Sequence, residues 1–258
     1  MHDFTGKIVL VTGGAGHIGR AICAHFLASG ATVIACGRRE PEVAVTHEGT
    51  RARFICADIR EPEACQQMID TITADYGRLD VLVNNAGGGP PVAAATASAS
   101  LTQKIIALNL VAPMVLSQQA HAALAAGEEP GVIINIASVS GVRPSPGSAA
   151  YGAAKAGLVS ATQSLAMEWG PTVRVNAIVV GLVHNEAGYE HYGGEEGLRK
   201  VADMLPLKRM AEPADIARAA LMLCSSDAAY ISGASLEVHG GGEVPVFLHL
   251  ASEAQQSR

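Results

Sequence analysis

Aromatic side chains make up only 4% of this 258-residue sequence and charged ones 16%. There is no basic run, and the net charge of −6 argues against nucleic acid or an anionic membrane surface as the main partner. No uninterrupted apolar run reaches the roughly 18 residues that a membrane span needs. The opening residues, MHDFTGKIVLV, carry an acid and lack the apolar segment of a signal peptide. The five cysteines (Cys23, Cys36, Cys56, Cys65 and Cys224) form no C-x-x-C pair, and no histidine stands at zinc-ligand spacing. No metal site is therefore expected, and the thiols read as small buried hydrophobes in a reducing compartment. Repeats, low-complexity tracts and linkers are missing too. What remains is the expectation of a single cytoplasmic α/β domain over residues 1–258. It is 49% hydrophobic and rich in Ala and Gly, so helices can pack closely on a sheet.

What is present is a regular alternation of short β-branched runs and helical patterns. Strands are expected at Lys7 to Val11, Thr32 to Ala35, Phe54 to Ala57, Leu79 to Val83, Val132 to Ile136, Val173 to Ile178 and Ser235 to Val238. Helices are expected from Ile18, from Pro62, from an N-cap at Ser100 to about Ala126, from Tyr151 and from Pro213. Pro113 should kink the long helix and displace the carbonyl of Asn109, freeing it for water. The pattern gives a Rossmann-like doubly wound parallel sheet of about seven strands with helices on both faces. Its ligands belong at the carboxyl ends of the strands.

The first strand runs into Thr12-Gly-Gly-Ala-Gly-His-Ile-Gly19 and then a helix, the context in which glycines let a backbone approach a pyrophosphate beside a helix N-terminus. At the end of the second strand, where an acid would accept bonds from an adenosine ribose, stands Gly37 followed by Arg38 and Arg39. That favours a phosphate-carrying ribose, hence NADP, with NAD possible. Asp58 follows the third strand, next to Ile59, and can cap a turn or contact the adenine side. Asn84-Asn85-Ala86-Gly87 closes the fourth strand, with consecutive amides able to tie strand ends and Gly87 leaving room for a ring. Further on, Ser138 ends a strand, and Tyr151 and Lys155 lie four apart on one helix face. A nearby ammonium favours the ionised form of a phenol, which otherwise titrates near 10.

Taken together, Thr12-Gly13 with Gly19, Asp58, Asn84-Asn85-Ala86-Gly87, Asn109, Ser138 and Tyr151 with Lys155 resemble the short-chain dehydrogenase/reductase family over about Gly6 to Gly242. The resemblance implies that Tyr151 donates and accepts the proton and that Lys155 holds the nicotinamide ribose and favours the phenolate. It further implies that Ser138 orients the substrate carbonyl and that Asn109 supports a water relay. It also implies cofactor contacts from Gly13, Gly16, Ile18, Ala86, Gly181 and Val183, and a homotetramer built through the two long helices.

Two departures stand out. His17 replaces the middle glycine of the family's short-form pattern, leaving Gly13, Gly16 and Gly19; beside the pyrophosphate it either assists the phosphates or fills space. After the sixth strand, Val180-Gly181 replaces Pro-Gly, and His184-Asn185 replaces the neighbourhood of a threonine that contacts the nicotinamide carboxamide. Residues 184–210 read as a lid over the substrate. They carry Tyr189, His191 and Tyr192 with Glu186, Glu190, Glu195 and Glu196, and no basic cluster. The expected substrate is a small apolar or cyclic, steroid-like alcohol or ketone. The alternatives are a 3-oxoacyl thioester and a catalytically silent cofactor-binding protein.

Overall fold

The computed structural model describes residues 2–185 and 193–248. Glu186, Tyr189, Glu190, His191 and Tyr192 of the expected lid lie outside the described residues. Nine strands are present among them: β1 (Ile8–Thr12), β2 (Thr32–Gly37), β3 (Thr46–His47), β4 (Thr50–Arg51), β5 (Arg53–Cys56), β6 (Val81–Asn84), β7 (Gly131–Ser138), β8 (Val173–Val180) and β9 (Ser235–Val238). Their helices are α1 (His17–Ala28), α2 (Pro62–Tyr76), α3 (Ala99–Ile106), α4 (Ala112–Leu124), α5 (Ala149–Trp169), α6 (Gly194–Met204) and α7 (Pro213–Cys224).

Seven strands form one sheet in the order β5-β2-β1-β6-β7-β8-β9, all parallel. The chain starts in the middle at β1, winds out to β5, then returns to lay β6 on the other side of β1. This reversal opens a crevice at the carboxyl ends of β1 and β6. Alternation within strands supplies both faces with apolar groups. Val9, Val11, Val33 and Val83 pack with Ile22 and Phe26 of α1 and Ile216 and Leu221 of α7. On the opposite face Leu10, Ile34, Leu82 and Ile133 pack with Met68 and Ile72 of α2 and Leu116 of α4. The small hairpin of β3 and β4 is an addition that the sequence pattern does not announce.

Carboxyl strand ends are tied by side chains. The Asn84 amide donates to Asn135 Oδ1 at 2.9 Å and to Ser117 Oγ at 3.0 Å, and the Asn135 amide donates to Thr162 Oγ1 at 2.9 Å. Asn85 Nδ2 reaches across to the carbonyls of Thr12 at 2.8 Å and Gly13 at 3.2 Å. The expected tie between strand ends is thus made twice, once to each neighbour of β6.

The long helix departs from expectation at two points. Its N-cap is Ser98, whose hydroxyl accepts from the Leu101 N–H at 3.1 Å, not Ser100, because the preceding turn from Ala93 ends earlier than the polar pattern implies. Pro113 does not leave a simple kink. Residues Ala107–Val111 form a widened π turn in which the Ala112 N–H donates to the Ala107 carbonyl, so the extra residue absorbs the bond that proline cannot make. Ala99–Leu124 is 26 residues long and holds an 18-residue window of mean hydropathy 1.4, long and apolar enough by composition to cross a membrane. Here one face of it packs into the core through Leu116, Ala120 and Leu124, while Val111 stays 49% exposed.

Replacing Asn135 by Ala removes the shared partner of two buried groups, the Asn84 amide and the Thr162 hydroxyl. We expect a loss of about 2–4 kcal/mol in denaturant unfolding, against about 1 kcal/mol for Ser98→Ala. Equal losses would mean that the strand-end ties carry little.

Candidate active site

A cleft of about 660 Å³ opens at the crevice between β1 and β6, lined among others by Gly13, Gly16, His17, Ile18 and Gly19. The turn is shaped for close approach. Gly13 has φ +61°, and a Cβ on it would lie 3.0 Å from the Ala86 Cα. A Cβ on Gly19 would overlap the Gly13 carbonyl oxygen and come within 2.8 Å of Asn85 Nδ2. Only a bare backbone fits, and it presents the start of α1 to the cleft, the arrangement that accepts a pyrophosphate. Thr12 lies beneath the turn, fully buried, where its hydroxyl accepts from the N–H groups of Asn85 and Ala86 at 3.0 Å each. It holds the turn from behind and does not line the cleft.

At the far end the cleft is walled by Gly37, Arg38, Arg39, Asp58, Ile59 and Arg60. Arg60 escapes a sequence reading because its role appears only in space. Its guanidinium clasps Asp58 through bonds of 3.0 and 2.5 Å, and this holds the Asp58 carboxyl below its ordinary range. Neither Arg38 nor Arg39 makes a salt bridge among the described residues. The acid at this end is therefore matched, and two further guanidinium groups are available to a ligand.

Asn85, Gly87, Ile18 and Val183 connect this cleft to a second cavity of about 260 Å³, whose other walls include Ser138, Tyr151, Lys155 and Gly181. Ser138 is the last residue of β7; Tyr151 and Lys155 occupy successive turns at the start of α5. Lys155 is 3% exposed, its ammonium donates to the Ile136 carbonyl at 2.7 Å, and it stands 5.7 Å from the centre of the Tyr151 ring. Burial without a carboxylate lowers the Lys155 pKa to about 8. Burial raises that of Tyr151, partly offset by a hydrogen bond with Ser138. Asn109 sits in the π turn, away from the cavity wall. Its Oδ1 accepts from the Gly88 N–H at 2.8 Å, and its amide donates to the carbonyls of Gly88 and Ile105, both at 2.9 Å. Asn109 thus fixes the loop that leaves β6.

The family model described as enoyl-(acyl carrier protein) reductase matches residues 13–243. This chain is a short-chain dehydrogenase/reductase. It is 33% identical to an uncharacterised oxidoreductase of Mycobacterium tuberculosis, covering 93% of each chain. It is also 32% identical to 3β-hydroxysteroid dehydrogenase 1 of Eggerthella lenta, covering 93% of this chain and 94% of that one. The crystal structure of an NAD⁺-bound xylitol dehydrogenase superposes with a TM-score of 0.84 at 25% identity, over 92% of this chain and 99% of that one. Members of the family are oxidoreductases that use a nicotinamide cofactor on small-molecule substrates, and the glycine cradle fits such a dinucleotide.

The buried ammonium makes stability depend on pH. The folded protein releases the Lys155 proton near pH 8, whereas the unfolded chain keeps it to 10.5, so between these values the unfolded chain binds more protons. Stability attributable to Lys155 therefore rises with pH across that window. Relative to Lys155→Met, the cofactor-free parent should gain roughly 3 kcal/mol as pH goes from 7.5 to 10.5. Parallel stability curves for the two proteins would show that the ammonium is not desolvated.

Proposed function

We propose that the protein interconverts a secondary alcohol and a ketone, preferring NADP, with Tyr151 as the acid and base. The observation that carries this reading is the convergence of Ser138, Tyr151 and Lys155 on one cavity continuous with the dinucleotide cleft. When bound, the cofactor supplies hydride exchange with the substrate carbon. In reduction the Tyr151 hydroxyl gives its proton to the carbonyl oxygen, and in oxidation the phenolate takes it back. Ser138 donates a hydrogen bond to the same oxygen and stabilises its developing charge. Lys155, held by Ile136, keeps a positive charge beside the phenol and so favours its ionised form. Asn109 acts by position, fixing Gly88, and its widened turn is where a water leading to solvent would be held.

NADP preference is supported by the charge balance at the adenine end, where Arg60 matches Asp58 and leaves Arg38 and Arg39 for a 2′-phosphate. A compact apolar substrate is supported by a pocket of about 150 Å³ against Tyr151, walled by Pro90, Val92, Ala97, Leu101 and Ile105. The loop forming it is pinned across the mouth by the Val92 N–H donating to the Gly147 carbonyl at 2.7 Å. A 3-oxoacyl thioester would draw on the description of the matched family model. Against it, Glu195 stands in the first turn of α6, while the basic Arg199 and Lys200 beyond it are paired with Glu196. The apolar outer faces of the long helices, with Val111 49% and Met167 88% exposed, support a homotetramer. Cysteines that are all unpaired support a cytoplasmic setting.

Tyr151→Phe should bind NADPH within about threefold of the parent while kcat on a ketone such as cyclohexanone falls by about a thousandfold. Appreciable turnover in that variant would remove Tyr151 from the chemistry. The double variant Arg38→Ala/Arg39→Ala should weaken NADPH about tenfold to a hundredfold and change NADH by less than about threefold, in fluorescence titration. Equal losses for both cofactors would refute the 2′-phosphate assignment.

A further inference from the structure

The two places where this sequence leaves the family pattern touch each other. His17 stands in the first turn of α1, and its Nε2 lies 2.6 Å from the carbonyl oxygen of His184, 167 residues away in the chain. A carbonyl accepts, so Nε2 carries the proton of this bond. On its other side the same segment is held by Ala211. The His184 N–H donates to the Ala211 carbonyl at 2.8 Å, the Ala211 N–H donates to the Leu182 carbonyl at 2.9 Å, and Val183 and Ala211 form a parallel bridge. Val183 lines both cavities, Gly181 the smaller one and Asn185 the larger. Residues 182–185 are therefore a wall of the cleft at the junction of its two chambers, clamped between Ala211 and His17.

We infer that His17 is a positioning residue that fastens this wall to the phosphate turn and so sets the place of the nicotinamide half of the cofactor. A glycine at position 17 has no side chain to cross the gap, and a threonine beyond Gly181 would contact the ring from the wall directly. Here the threonine is absent, and the wall is fixed from outside by an imidazole. The adenine end, with Arg38, Arg39 and the Asp58–Arg60 pair, makes no hydrogen bond or ion pair with His17 among the described residues. The inference rests on the reading of the cleft as a dinucleotide site.

The test compares the parent, His17→Gly and His17→Gln in calorimetric titration with NADPH and with 2′-phospho-ADP-ribose, which keeps the pyrophosphate and lacks the nicotinamide. Amide hydrogen exchange at His184 is followed in each cofactor-free protein. In His17→Gly, NADPH should weaken about fivefold, the value of one exposed hydrogen bond, while 2′-phospho-ADP-ribose changes by less than about twofold. The His184 amide should exchange faster while the strands of the sheet keep their protection. His17→Gln offers an N–H of similar reach and should recover most of the NADPH affinity and the slow exchange. Equal weakening of both ligands would place His17 on the phosphates, and unchanged affinity and exchange would make it a bystander; either overturns the inference. A parent that binds neither ligand would instead overturn the dinucleotide reading itself.

Discussion

A single ammonium group, taken out of water with a backbone carbonyl as its hydrogen-bond partner and no carboxylate beside it, is the constraint around which this molecule is packed. Lys155 must be buried to lie beneath Tyr151, and burying a charge is tolerated only where it is held closely. The surroundings show how that closeness is reached. A Cβ on Gly87 would lie 3.2 Å from the Lys155 nitrogen and 2.7 Å from Asn109 Oδ1. A Cβ on Gly141 would come within 2.8 Å of the Lys155 carbonyl carbon, and one on Gly152 within 2.7 Å of the Ser140 carbonyl oxygen. Gly87 and Gly141 thus face the start of α5 from outside it, and Gly152 within α5 faces Ser140, each allowing a backbone to come in where a side chain would keep it away.

The electrostatic consequence is a pair of groups pushed in opposite directions toward neutrality. Burial moves the Lys155 pKa down and the Tyr151 pKa up, so each alone resists charge. Together they do not, because a phenolate and an ammonium about one ring apart stabilise one another in a site of low dielectric. Such a pair is suited to passing a proton back and forth, since neither partner holds its charge strongly in isolation. Ser138 adds a hydrogen bond to the same phenol and lies at the end of the strand that also supplies the Ile136 carbonyl. One strand thus orients both ends of the pair.

Much of this was legible in the sequence because it depends on neighbours along the chain. Short β-branched apolar runs locate the seven strands of the sheet, with Ser235 to Val238 matching in both bounds, and the strand-turn-helix context marks the glycine cradle. What was hidden depends on residues far apart or on competition between equal signals. Ser98 and Ser100 are both acceptable caps, and the turn from Ala93 decides between them. Pro113 announces a disturbed helix but not its form, because a kink and a π turn both relieve the same missing N–H. Arg60 is an ordinary surface arginine until its guanidinium is seen folded back on Asp58. The His17 to His184 bond joins two oddities that, read along the chain, have no reason to be related.

Stability is unevenly distributed around the cavity. The wall at 182–185 is anchored to Ala211 and His17. At the carboxyl end of α6 and just past it, the Met204 carbonyl accepts from the Val244 N–H at 3.4 Å, and the Leu207 N–H donates to the Gly240 carbonyl at 3.3 Å. Glu243, between those contacts, pairs with Arg143 of the loop that follows Ser138. The segments at 182–185 and 204–207 are thus tied to neighbouring elements, while α6 itself buries no residue. A helix with no buried side chain contributes little apolar burial to the fold, so its substitution costs little stability. Its carboxyl end is nevertheless held by the contacts at Met204 and Leu207. Substitution in α6 therefore leaves the packing around Lys155, on α5, unchanged.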